Sequence, residues 1–232
     1  MIPLRDINPT KRFAIVTLLL VIANSAVFLY ELTLGRTGGE LFVSSYALVP
    51  ARLFSPAVLN DGSLPVAATI ISSMFLHGGI LHIAGNMLYL WIFGNNVEDD
   101  TGRLRFILFY LLCGTAAAMT HALANKSSII PMIGASGAVS GVLGAYLLLY
   151  PRARVVTLVF FGFFIRTVEI PAMFVLGFWF VIQFLSALST SSSGGGIAWH
   201  AHVGGFVAGM MLIGLFKRND VPYGIGRRSH PL

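Results

Sequence analysis

Long apolar runs, separated by short polar or Gly/Pro-rich breaks, dominate this chain. Read by length and by their breakers, they predict six membrane-crossing helices. These are about Phe13–Leu32, Ile80–Phe93 with an apolar approach from Val66, Leu104–Ala124, Ile133–Tyr150, Ile170–Leu188 and Trp199–Phe216. Two segments do not fit the count. Gly35–Phe75 carries apolar patches at Tyr46–Leu53 and Val66–Ile71 but is broken by Pro50, Pro56 and Pro65. It reads as a long loop lying in the headgroup region, between the first and second helices. Val155–Ile165 is apolar between Arg154 and Arg166, too short to cross as a helix, and is placed at the membrane interface. The expected fold is all-α: one polytopic six-helix domain over residues 13–216, a short segment 1–12 before it, a basic tail 217–232 after it, and no second domain.

Composition supports this reading. Of the 232 residues 56% are hydrophobic and 10% charged, whereas soluble proteins carry roughly 25% charged residues. That excludes a soluble enzyme and a disordered chain, and a single cysteine, Cys113, excludes an internal disulfide scaffold. The net charge of +6 does not point to nucleic acid, because the basic residues lie in the breaks between apolar runs and not on one face. With a cytoplasmic N-terminus, the inside basic residues are Arg5, Lys11, Arg12, Arg103, Arg105, Arg152, Arg154, Arg166, Lys217, Arg218, Arg227 and Arg228. Outside are only Arg36, Arg52 and Lys126. This is the bias of a multi-pass inner-membrane protein with both termini in the cytoplasm. The first run resembles a signal peptide around Ala23–Ala26, but it stays apolar through Val27–Tyr30, so a retained span is expected.

Polar residues inside a membrane are costly and mark candidate sites. Ser136 lies in Gly134-Ala135-Ser136-Gly137 near the outer end of the fourth span. Gly137, Gly141 and Gly144 share one helical face there, and small residues let helices approach closely. On the sixth span His202 shares a face with Gly205 and Gly209. If the two glycine faces meet, Ser136 and His202 lie side by side, the arrangement of an activated nucleophile and its base. His200 also shares a face with small residues, Gly204 and Ala208, so spacing alone does not choose between the two histidines. His82 and Asn86 share a face of the second span. Both can donate hydrogen bonds, either between helices or to a developing oxyanion. His77 precedes that helix and reads as a loop holder; His121, near the outer end of the third span, has no evident partner.

Together these residues resemble the rhomboid intramembrane serine proteases. The resemblance is carried by His77-x4-His82-x3-Asn86, Gly134-Ala135-Ser136-Gly137 and Ala201-His202-x2-Gly205-x3-Gly209, on alternate spans with matching outer ends. Asn95-Asn96-Val97-Glu98-Asp99 followed by Gly102 is similar to the turn after that family's second span. The resemblance implies a minimal six-span, prokaryotic type with Ser136 as nucleophile, His202 as base, and His82, Asn86 and the Ser136 N–H binding the oxyanion. No cofactor or metal is expected, and transmembrane proteins cleaved near the outer face are the expected substrates; the resemblance implies the fifth span as a mobile gate against the second. One departure concerns the Gly35–Phe75 loop, which has no Trp-Arg pair.

Three rivals have different signatures. A catalytically idle relative acting as a membrane chaperone or binding scaffold would lack the serine or the histidine, and both are present. A transporter would need intramembrane acids or paired broken helices. A metalloenzyme built on His77, His82, His200 and His202 would need nearby carboxylates or thiolates.

Overall fold

The apolar runs become helices close to the positions their breakers mark. The computed structural model describes residues 1–54, 64–161, 164–189 and 198–224. In chain order the helices are α1 (Ile15–Thr33), α2 (Gly35–Tyr46), α3 (Pro50–Phe54), α4 (Val66–Ser72), α5 (Ile80–Thr101), α6 (Arg103–Ala124), α7 (Ser136–Leu149), α8 (Ala172–Ser189) and α9 (Trp199–Phe216). Helices α1, α6, α8 and α9 are long and apolar enough to cross a bilayer. Helix α4, extended by a 3₁₀ turn at Ser73–Phe75, meets α5 at an 84° bend. Helix α7 has 14 residues, roughly 21 Å at the usual rise, so alone it falls short of a ~30 Å hydrocarbon core. It is the central helix, buried along nearly its whole length and touching α5, α6, α8 and α9.

Glycine decides how α7 packs. A methyl group built on Gly209 or Gly205 would collide with the carbonyl oxygens of Gly141 and Gly137, and one on Gly144 with that of Phe206. Helices α7 and α9 therefore touch backbone to backbone, along the two glycine faces expected from their spacing. Helix α6 closes the third side: Ala117 lies against Gly137, Cys113 against Gly141 and Thr120 against Gly204.

The segment after α1 is more ordered than the expected loop. Pro50 is the first residue of α3, and Pro65, with φ −49°, immediately precedes α4. These two prolines open helices, because a missing N–H costs nothing in a first helical turn. Residues 55–63, including Pro56, lie outside the described residues. An isolated bridge between Leu48 and Met132 and a bond from the Ala51 N–H to the Ser128 carbonyl (2.9 Å) tie this segment to the α6–α7 connection.

The other end of the bundle holds a three-stranded antiparallel sheet, β1 (Ile2–Ile7), β2 (Arg154–Phe161) and β3 (Phe164–Pro171), in that order. The membrane bundle is helical as expected, but the chain is not helical throughout. The described residues of Val155–Ile165, placed at the interface, belong to β2 and the start of β3. Val155, Val156, Thr157, Val159, Thr167, Val168 and Ile170 are β-branched and suit strands. In the register Ile2 faces Leu158 and Ile7 faces Arg154, while Arg154 faces Pro171.

Acidic residues at the end of α5 lock this end together. The Glu98 carboxylate accepts the Val16 N–H (3.0 Å), the Thr17 N–H (2.7 Å) and the Thr17 hydroxyl (2.8 Å). It therefore caps α1 where the helix dipole favours an anion. Asp99 accepts the Lys11 N–H, Asp100 the Tyr150 hydroxyl, and the Asp100 carbonyl the Arg218 N–H. Asp6 of β1 accepts bonds from Asn96 (2.8 Å) and Tyr146 (2.7 Å). The N-terminus, the α5–α6 turn, the α7–α8 hairpin and the end of α9 thus share one end of the molecule. They carry the described members of the larger basic set; Arg227 and Arg228 lie outside the described residues.

Candidate active site

At the opposite end from the sheet, a cavity of about 840 Å³ runs from loop residues Ser128, Pro131 and Ala198 down to Ser136, Ser140 and Leu143. His82, Asn86, Trp179, Gln183, Trp199, His200 and His202 also line it. Ser136 is the first residue of α7, and the shortness of α7 sets it below the loops instead of at the outer rim. The first four N–H groups of a helix have no partner within it, so the Ser136 N–H is available where its hydroxyl lies. The Ser140 hydroxyl donates to the Ser136 carbonyl at 2.6 Å.

The structure brings together the serine and histidine that sequence spacing paired. His202 Nε2 lies 2.8 Å from Ser136 Oγ. A neutral imidazole at this distance can take the hydroxyl proton provided that Nε2 carries the lone pair. The backbone contact of Gly137 with Gly205 holds the two helices at this separation. His200 is one of the cavity-lining residues, but its ring lies beside that of His121, centroids 6.3 Å apart. The geometry thus separates the two histidines that the glycine offsets left open.

His82 and Asn86 face Ser136 from α5. The Gly78 N–H donates to His82 Nδ1 at 3.4 Å, which leaves Nε2–H as the donor of a neutral ring. Gly134 has φ +119°, and a Cβ there would lie 2.7 Å from His82 Nε2 and 3.6 Å from Ser136 Oγ. Only a glycine lets the imidazole approach the turn that presents the serine. Asn86 is buried, and its Nδ2 donor has no hydrogen-bond partner among the described residues. A buried, unused donor beside a nucleophile is available to an anion that forms during reaction. His77 is buried, bonds to Glu31 of α1 through its N–H (3.5 Å), and sets its ring edge-on to His82. It thus holds the loop against α1 and buttresses His82.

Sequence reasoning missed Gln183. On α8, its Oε1 lies 2.5 Å from His202 Nδ1, the ring nitrogen facing away from Ser136. Trp179, one turn earlier on the same face, lies across the imidazole with centroids 6.0 Å apart, and Trp199 meets it edge-on at 6.0 Å. The available signal was an amide inside an otherwise apolar span. Among the described residues no three His, Cys, Asp or Glu side chains converge as a metal site requires.

Comparison with known proteins agrees with this geometry. Residues 66–219 match the sequence model of the Rhomboid domain. Rhomboid protease GluP of Bacillus subtilis is 37% identical over 148 residues, covering 62% of this chain and 25% of that protein. Rhomboid protein 1, mitochondrial, of Saccharomyces cerevisiae is 30% identical over 152 residues, 62% of this chain and 40% of the yeast protein. RHOMBOID-like protein 12, mitochondrial, of Arabidopsis thaliana is 29% identical over 206 residues, 82% of this chain and 55% of that protein. The chain thus spans between a quarter and just over half the length of these relatives.

Proposed function

The chain belongs to the rhomboid family of multi-pass membrane proteins, and from that premise we propose that it is an intramembrane serine endopeptidase acting through a Ser136–His202 dyad. Family membership and a bacterial protease relative support intramembrane proteolysis in general. The observation that carries the finer reading is the 2.8 Å contact of His202 Nε2 with Ser136 Oγ inside a cavity that also presents His82 and Asn86.

The reaction follows from the geometry. Ser136 Oγ attacks the scissile carbonyl carbon while His202 Nε2 takes its proton. The carbonyl oxygen becomes an anion that accepts hydrogen bonds from His82 Nε2–H, Asn86 Nδ2–H and the Ser136 N–H. The C–N bond breaks as His202 returns the proton to the leaving amine. Water drawn from the cavity then attacks the acyl-enzyme, giving its proton to His202, and His202 passes that proton to Ser136 Oγ as the C–O bond breaks to release the acid.

Placement of the site restricts the substrate. A helical segment in lipid has its carbonyls already bonded, and each exposed group costs several kcal/mol. Cleavage is therefore expected near the outer end of transmembrane proteins, where Gly, Pro or other weak helix formers loosen the chain; family resemblance adds a small residue before the cut. The basic end faces the cytoplasm, with both termini there, in the inner membrane of the cell.

The test uses purified protein in detergent with a model transmembrane substrate. Wild type cleaves it, and Ser136→Ala and His202→Ala do not. A fluorophosphonate probe labels wild type and leaves Ser136→Ala unlabelled. Cleavage that survives Ser136→Ala refutes the proposal. Wild-type protein that neither cleaves nor labels favours the idle scaffold instead.

A further inference from the structure

We propose that Gln183 is the positioning residue of the dyad: its side-chain carbonyl accepts the His202 Nδ1–H and so fixes the tautomer in which Nε2 can act as a base. The inference rests on the Ser136–His202 reading above and adds a third member that contacts neither substrate nor serine.

A neutral imidazole carries one proton on two nitrogens, and only one tautomer is competent here. With the proton on Nδ1, the Nε2 lone pair faces Ser136 Oγ. With the proton on Nε2, the ring donates to the serine and cannot accept from it. The choice is made by whatever faces Nδ1. Among the described residues that partner is Gln183 Oε1, at 2.5 Å. Gln183 is itself buried, on a span whose other buried residues are Ala172, Val175, Leu176 and Ala187. An amide in such a span is costly unless its polar atoms are used. Trp179 and Trp199 fix the ring plane from two sides. The amide therefore sets the remaining variable, the proton's location.

A neutral acceptor also gives this arrangement a particular character. A carboxylate facing Nδ1 would strongly stabilise the imidazolium that forms as Ser136 attacks. A glutamine orients the ring and stabilises that charge only as a dipole. The opposite amide orientation, with the NH₂ group toward Nδ1, would direct the proton to Nε2 and idle the base.

The experiment compares wild type with Gln183→Leu, Gln183→Met and Gln183→Glu, all purified in detergent, with Ser136→Ala and His202→Ala as references. Leu and Met remove the acceptor and are more apolar, so they suit the span. Both are expected to lower kcat by ~10²-fold or more with KM changed less than twofold, a smaller loss than removal of the charged orienting aspartate causes in Ser-His-Asp triads. Fluorophosphonate labelling slows in parallel, since it needs the same base and no substrate helix. Gln183→Glu keeps an acceptor and retains activity within about tenfold of wild type. Histidine ¹⁵N spectra, with the His202 signals identified by their loss in His202→Ala, show Nδ1 protonated in wild type and a tautomer mixture in Gln183→Leu. Wild-type kcat in both apolar variants, or Nε2 protonated in the neutral wild-type ring, overturns the proposal. If His202→Ala still cleaves, the dyad itself is wrong; if His202→Ala is inactive while the Gln183 variants are unaffected, only the positioning role fails.

Discussion

Helices α7 and α8 both border the candidate site, and they are held in opposite ways. Helix α7 meets α9 through glycines whose carbonyl oxygens sit where a methyl group would be. It is buried along almost its whole length. Helix α8 buries only five residues and turns Phe174, Phe178, Val181, Ile182, Leu185 and Leu188 outward. The difference separates two properties of the site. The Ser136–His202 distance is set by a backbone contact that cannot stretch without unpacking the core. The orientation of the imidazole depends on Trp179 and Gln183, on a helix tied by backbone hydrogen bonds at its first turn, from the Ala172 and Met173 N–H groups to the Ala153 and Pro151 carbonyls, and by side chains beyond it. An outward shift of α8 would leave the serine and histidine in place and take the Nδ1 acceptor away.

The contrast can be broken most severely at the rigid joint. Gly209→Val drives a branched side chain into the Gly141 backbone, which cannot yield. A loss of about 3 kcal/mol or more is expected, seen as failure to accumulate folded protein or as a collapse of the melting temperature in detergent. An equally stable variant would mean that the joint is not close-packed. Removing an oxyanion donor is milder for the fold but severe for the chemistry. Asn86→Ala should reduce kcat roughly 10²- to 10³-fold with unchanged melting, and full activity would remove Asn86 from the site.

The loose helix is expected to respond in the other direction. Phe184 is 44% exposed and stacks on Phe180. If α8 is the gate, Phe184→Ala raises turnover a few-fold by easing substrate access. Trp179→Ala lowers it, because Trp179 lies on the His202 ring. Equal effects from the two would contradict this division of α8 into an outer and a catalytic face.

The smallest effect belongs to the sheet, at the end of the bundle away from the cavity. Burial raises the Asp6 carboxyl from 3.8 to about 6, against the lowering effect of its hydrogen bonds from Tyr146 and Asn96. A raised acid stabilises the fold fully below its unfolded value, and that stabilisation is lost as pH climbs through the folded value. Asp6→Asn keeps an oxygen acceptor without the charge. It should melt a few degrees above wild type at pH 8 and match it below pH 4, with cleavage unchanged. A pH-independent difference would exclude Asp6 as the titrating group.

The helical spans were legible because a bilayer demands long apolar runs, and breakers such as Gly102 and Pro151 punctuate them. Ser136 and His202 were legible because each sits in a glycine pattern that predicts close approach. Gln183 was not, since a lone amide forms no motif and the aromatic residues of α8 drew the reading toward lipid contact. The sheet was missed because Val155–Ile165 was judged against the length of a crossing helix, although its β-branched residues fit strands. The prolines after α1 were read as breaks, yet the same ring that ends a helix is well suited to begin one.

Strand β1 carries a consequence for biosynthesis. Ile2 pairs with Leu158, so the first strand has no partner until most of the chain has left the ribosome. The leading segment must wait, unpaired, while α1 to α7 emerge. Closing the sheet therefore follows the emergence of α1 to α7, and it requires that Ile2–Ile7 and Arg154–Phe161 have come to the same end of the bundle.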